Sequence, residues 1–281
     1  MDAVNSAMAG FFDLLWAPFS ALPEWVGLLV LGALFGVLAL LAMKWTTNAK
    51  RVAVFKDRCM GNIIAILLFR DSLAVVFSSL GKTLGWLCGY VGEQFKPMFL
   101  MLIPFVLLFA QMQMRLGIRP LDVGAVVEVR AELDVAKADG ADVAVELPPG
   151  LELRSRIVHQ PARGHVAFNV AAKEPGLHVV KFTSGGETVT KSVHVGPADG
   201  TPMVAPVRSN DFFDQLLYPG EDSFGGASRF ERIAVSSYPV RPLPCFGFDL
   251  SFGSEAGLIL VFVLLTIAAA FGLKGVFGVT L

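Results

Sequence analysis

Three kinds of apolar pattern follow one another along the chain. The first is the uninterrupted run. Trp25 to Met43, WVGLLVLGALFGVLALLAM, is 19 residues without a charge, and at about 1.5 Å rise per residue it nearly crosses a hydrocarbon core of roughly 30 Å. Pro97 to Met114 and Ala256 to Leu273 are uncharged runs of 18 residues each. These runs predict transmembrane helices over 25–43, 97–114 and 256–278, the second kinked at Pro104.

The second pattern has apolar residues three and four apart. In residues 3–19, Met8, Phe11, Phe12, Leu15, Trp16 and Phe19 share one broad face. They predict a helix within 1–24 lying in the outer membrane interface, with Trp16 and Trp25 at headgroup depth and Pro18 and Pro23 ending it. In 44–96, Val52, Phe55, Ile63, Ile64, Leu67 and Leu68 form one stripe. A second stripe, Leu73, Val76, Phe77, Leu80, Leu84, Leu87 and Val91, follows an interruption at Arg70, Asp71 and Ser72. We read a helical hairpin against the inner leaflet, its second helix capped by Asp71 or Ser72. The competing arrangement sends 72–92 across the bilayer with Lys82 near the middle, at a cost of about 2.5–3.5 kcal/mol.

The third pattern has period two. AVVEVRAEL, DVAVELP, LELRSRIVH, HVAFNVAA, LHVVKFTS and ETVTKSVHV alternate apolar and polar residues, separated by Asp139-Gly140, Pro149-Gly150, Arg163-Gly164, Pro175-Gly176 and Gly185-Gly186. Six short strands with such turns predict an immunoglobulin-like β-sandwich over 121–197. A Pro- and Gly-rich extended segment, 198–254, follows. It holds a helix over Asn210 to Leu217 capped by Ser209 and a strand over Arg232 to Ser237, and it is expected to lie on the sandwich or on a partner. The fold class is thus a mixed α+β membrane protein: three transmembrane helices, a cytoplasmic helical hairpin and an inserted sandwich.

Charge orients this plan. Lys44, Lys50, Arg51, Lys56 and Arg58 follow the first run against one acid, Asp57, whereas Asp2, Asp13 and Glu24 precede it with no basic residue. Basic residues stay on the cytoplasmic side, so the N-terminus is outside and these five residues form a cytoplasmic basic mouth. Arg115 and Arg119 at the far end of the second span oppose this tendency and are outweighed by the five. Glu255 and Lys274 flank the third run, placing the C-terminus in the cytoplasm, the sandwich outside and the protein in the inner (plasma) membrane. A basic start and a short apolar run would mark a cleaved signal, and neither is present. The net charge of -1 and pI near 6.4 offer no field for nucleic acid. Of Cys59, Cys88 and Cys245 only the last faces outside, so the exported part has no disulfide framework.

Chemistry is sparse. The chain lacks G-x-x-x-x-G-K-[ST], H-E-x-x-H, C-x-x-C and G-x-S-x-G. With the hairpin turning at Ser184 and Gly185, His178 faces Lys191 rather than His194, so no metal pair forms. Glu128, Glu132, Glu146 and Glu152 take alternate strand positions, the pattern of an exposed face. No catalytic, cofactor-binding or metal-binding residue is assigned, and enzyme activity is not expected. Polar residues in apolar helices must face protein or water. Thr46, Thr47 and Asn48 at the inner end of the first span, Gln111 and Gln113 near the outer end of the second, and Thr266 in the third are candidates for a hydrated groove, or for hydrogen bonds between helices.

The order of these parts resembles a known family. The outer interfacial helix, a first span entered through LPEWVGLL, the basic mouth KWTTNAKR, the hairpin and a second span opening with PMFLMLIP are similar to the core of the YidC-like membrane insertase superfamily, including its three-span relatives. The resemblance covers about residues 3–114 and more loosely 256–278. Family members with a large exported domain place it before this core, whereas here it lies between the second and third spans. The resemblance implies a groove open to cytosol and lipid, through which short hydrophilic segments of other membrane proteins cross, with the hairpin receiving them. The expected partners are the lipid bilayer and other membrane proteins, as clients of insertion or assembly. The alternative is a structural subunit of an envelope complex whose sandwich docks its partners.

Overall fold

The computed structural model describes residues 2–19, 22–138, 143–160, 164–197, 202–245 and 248–277. Four helices lead the chain: α1 (Asp2–Trp16), α2 (Glu24–Thr46), α3 (Ala49–Leu68) and α4 (Leu73–Met112), the last followed by a π-helical turn, Gln113–Gly117. A strand-rich region comes next, with β1 (Val126–Leu133), the short α5 (Val135–Ala138), β2 (Val143–Glu146), β3 (Leu151–Leu153), β4 (Val158–Gln160), β5 (His165–Ala172), β6 (Gly176–Ser184) and β7 (Glu187–Val195). After these come β8 (Val207–Ser209), α6 (Phe212–Leu217), β9 (Phe230–Val235), the small pair β10 (Pro244–Cys245) and β11 (Phe248–Asp249), and α7 (Glu255–Phe277). Three helical stretches, Glu24–Thr46, Leu73–Gly117 and Ala256–Phe277, are long and apolar enough to cross a membrane, which marks the chain as a membrane protein of mixed helix and sheet. It divides into two compact units: Leu28–Phe105 with Phe262–Leu281, and Met1–Gly27 with Val106–Val261.

In the helical unit, small residues let α2 and α7 approach at backbone contact. Gly32 and Gly36 stand one turn apart on α2. A Cβ on Gly32 would lie 2.8 Å from Leu265 Cβ, and one on Gly36 would lie 2.8 Å from the Thr266 carbonyl and 2.9 Å from Ala269 Cβ. This is the small-xxx-small interface of apolar helices, where close packing substitutes for a hydrophobic driving force. Phe35, Phe105 and Phe262 add α4 to the pair, with ring centroids 5.6–6.0 Å apart. α3 runs antiparallel to the first half of α4. Phe55 meets Trp86 at 6.0 Å, the Arg58 guanidinium sits 5.5 Å from the Trp86 ring, and the Cys59 thiol reaches the Thr83 carbonyl at 3.8 Å.

The residues read as the hairpin's second helix and the second span form one helix. α4 runs 40 residues without a break and holds both Pro97 and Pro104, and at about 1.5 Å per residue it is about 60 Å long, twice a hydrocarbon core. Each proline removes one backbone donor, but the other ladder bonds of so long a helix remain. The Ser72 carbonyl accepts the amide of Val76 at 3.0 Å, which puts Ser72 at the N-cap.

In the β unit two antiparallel sheets share one core. The larger is ordered β3-β5-β1-β9-β8, with β4 also on β5, and the smaller is β2-β6-β7. Val129, Phe168, Val170, Phe230 and Ile233 of the first pack with Val180, Phe182 and Val193 of the second. Phe182 lies 6.0 Å from Phe168 and 6.4 Å from Phe230, bridging the sheets. The stretch LELRSRIVH, expected as one strand, breaks into β3 and β4, because the Asn169 amide donates to Ser155 Oγ at 2.8 Å where a ladder bond would fall. Between β6 and β7 the turn is Gly185-Gly186, with φ of +56° and +85°. A two-residue turn of this hand needs φ above zero at both central positions, which two glycines supply and a serine resists. The register therefore differs from the expected one: His178 faces Val193, and Lys191 faces Val180. The expected turn at Asp139-Gly140 lies outside the described residues.

The described residues of the segment 198–254 are part of this fold. β9 lies between β1 and β8, and its Phe230 and Ile233 are fully buried. β9 starts two residues before the expected Arg232–Ser237, because Phe230 completes the core and Ser237, at φ +68°, ends the extended run. α6 starts at Phe212 rather than Asn210. Its N-cap is Asp211, whose carboxylate accepts from the amides of Phe213 and Asp214, while Ser209 Oγ accepts from the amide of Asp211. α1 docks on this unit. Phe12 and Trp16 are buried and stacked, Asn5 donates to the Gln215 carbonyl at 2.9 Å, and Asp13 pairs with Arg115 at 2.7 Å. The face expected to enter the membrane interface is thus divided, with Phe11 outward and Phe12 and Trp16 inward.

Candidate functional site

The α3–α4 hairpin combines the basic residues with uncovered apolar ones. Lys44, Lys50, Arg51, Lys56 and Arg58 are all exposed at or near its base. Asn48 ends the turn between α2 and α3 by accepting the amides of Lys50 and Arg51, which fixes where the basic run begins. Arg51 lies 3.7 Å from Glu93, a buried carboxylate that Lys96 approaches to 2.7 Å. Arg58 is held over Trp86. At the far end, Leu67, Leu68, Leu73 and Phe77 are 71%, 70%, 71% and 68% exposed. Side chains of this kind clustered at one end of a hairpin mark a surface that a bilayer or another protein covers.

The six candidate groove residues fall into both units. Thr46, Thr47, Asn48 and Thr266 belong to the helical unit, and Gln111 and Gln113 to the β unit. Thr46 and Thr266 donate to carbonyls one turn back on their own helices, Ala42 and Phe262, at 2.6 and 2.8 Å. Asn48 is occupied as a cap. Thr47 Oγ1 and the Oε1 atoms of Gln111 and Gln113 are buried without a hydrogen-bond partner. Gln113 also packs on Gly117, where a Cβ would come within 2.5 Å of its amide. These three residues therefore hold unused hydrogen-bonding capacity in an apolar setting, which costs free energy unless something pairs with it.

A polar cluster that the sequence reading passed over lies inside the sandwich. Lys191 is fully buried; its ammonium donates to the Ala205 carbonyl at 2.6 Å and to a Glu221 carboxylate oxygen, while the other oxygen of Glu221 accepts the Ser192 amide at 2.8 Å. Burial pulls the Lys191 ammonium below its ordinary value, and Glu221 opposes this. Burial, then the Lys191 charge, hold the His194 imidazole below its ordinary value. Burial pushes up the Tyr238 hydroxyl, which accepts the His194 amide at 3.4 Å. The signal was present in ETVTKSVHV, where Lys191 shares the parity of Val189, Val193 and Val195 and so points inward. The cluster clamps both ends of the Ala205–Glu221 segment to β7.

The chain is thus defined as a membrane protein with an apolar helical unit, a basic and apolar hairpin, and a two-sheet β unit closed by its own C-terminal segment. No family model, curated protein or solved structure matches it.

Proposed function

We propose that the protein assists the insertion or assembly of other membrane proteins, with the hairpin receiving apolar client segments on the cytoplasmic side. The observation that carries this reading is the uncovered far end of the hairpin, Leu67, Leu68, Leu73 and Phe77, on a hairpin that carries five exposed basic residues at or near its base. A helix as long as α4 extends the hairpin well beyond the thickness of a bilayer, so its free end reaches outside the hydrocarbon core. In this reading the β unit is an exported, immunoglobulin-like module. The test replaces Leu67, Leu68, Leu73 and Phe77 with glutamine and measures insertion of a reporter membrane protein together with thermal stability in detergent. These side chains contribute little to packing, so insertion falls several-fold while stability holds. Normal insertion by this variant would remove the hairpin from the mechanism.

A second reading, a structural subunit of an envelope complex, is favoured by α6, whose Phe212, Phe213 and Leu217 are 54%, 68% and 46% exposed on the β unit. Crosslinking and purification separate the two: many transient clients fit the first, and a few stoichiometric partners captured through Phe213 fit the second.

A further inference from the structure

A cavity of about 590 Å³ opens in the β unit beside the first residues of α2. Its walls are rigid, because Pro23, Pro120, Pro197, Pro242 and Pro244 all line it and proline has little backbone freedom to lose on binding. Two ion pairs face it. Arg119 holds Asp122 with a two-pronged hydrogen bond of 2.6 and 2.9 Å, and Arg241 holds Glu24 at 2.6 Å. Arg241 keeps a buried Nε with no acceptor, while Asp122 keeps 64% of its side chain open to solvent. Trp25, Val123 and Leu243 supply apolar wall.

We propose that this cavity binds the headgroup of a zwitterionic phospholipid, with the phosphate on Arg119 or Arg241 and the ammonium on Asp122 or Glu24. A purely anionic ligand gains at the two arginines but meets the two carboxylates, and a purely cationic one meets the reverse. A ligand carrying both charges a few ångströms apart satisfies both sets. The position agrees with this chemistry. Glu24 and Trp25 open α2, one of the two most apolar helices, so the cavity lies at headgroup depth if α2 spans the bilayer, the one point at which the proposal rests on the membrane reading. Prolines, a tryptophan and an aliphatic wall suit the glycerol backbone of a lipid.

The test is native mass spectrometry of the full chain extracted in mild detergent from nanodiscs of equal phosphatidylethanolamine and phosphatidylglycerol. We expect phosphatidylethanolamine retained at one per chain, at least tenfold over phosphatidylglycerol. Arg119→Gln with Asp122→Asn changes two exposed groups with no change in net charge, and Val123→Trp fills the cavity and leaves both ion pairs; each lowers retention tenfold or more. Equal retention of the two lipids, or retention unchanged by Val123→Trp, overturns the proposal. So does binding of soluble glycerophosphoethanolamine without any retained lipid, which would reassign the cavity to a water-soluble ligand. Carbonate extraction of membranes distinguishes the failures: an integral protein without bound lipid loses only this assignment, and an extractable one loses the membrane reading as well.

Discussion

Lys191 shows how far one side chain can depart from its expected surroundings. A lysine on the inner face of a strand is tolerated only if its charge is matched, and here the match comes from Glu221, 30 residues on, and from the Ala205 carbonyl. Removing one member of a buried pair strands the other. Lys191→Met is therefore expected to destabilise the β unit by about 3 kcal/mol, within the range for a broken buried pair, read as a lower midpoint in urea or heat. Lys191→Met with Glu221→Leu should recover most of that loss, since no charge is then left unmatched. A single variant as stable as the parent would show that the pair contributes nothing. The period-two pattern showed which way Lys191 points, yet not its partner: Glu221 lies in a Pro- and Gly-rich stretch whose residues carry no periodic signal. Gln113 is similar. Its presence in an apolar run was readable, whereas its packing against Gly117 arises from the π-helical turn.

At the scale of elements, the apolar runs were legible because lipid demands uncharged length, and the ends of helices were less so. The division between hairpin and span was expected near residue 96, where Glu93 and Lys96 interrupt the apolar run, but these two side chains pair with each other and α4 continues past them. A helix is ended by loss of backbone bonds more than by a change of polarity. The glycines of α2 provide the test of packing. Gly36→Leu places a branched side chain against the Thr266 carbonyl and Ala269, and overpacking of this kind costs about 1–3 kcal/mol, read as a lower melting temperature in detergent. Gly81→Ala on α4 is the control: a Cβ there meets nothing within 4 Å, and the change should raise stability by about 0.5–1 kcal/mol through helix propensity. Equal effects at the two sites would deny that Gly36 is an interface residue.

Across the whole molecule, the expected sandwich of 121–197 is incomplete without the chain that follows it. A fragment of 121–197 lacks β8, β9 and the buried Phe230 and Ile233, and it also lacks Met114 and Ile118 of the same core. It is expected to show no cooperative thermal unfolding by circular dichroism, whereas 113–254 unfolds in a single transition. Cooperative unfolding of the shorter fragment would show that β9 is dispensable. The sequence alone determined the three membrane-length helices, the period-two strands and the basic residues after the first apolar run, because each is a local pattern of uncharged length, of alternation with the pleat of a strand or of residue type. Only the tertiary structure decided that β9 enters the sheet beside β1, that Lys191 and Glu221 meet, that Phe12 and Trp16 turn inward, and that five prolines line one cavity. Those are pairings between residues far apart in the chain. They are selected by which buried groups satisfy one another, and no local window of sequence contains both partners.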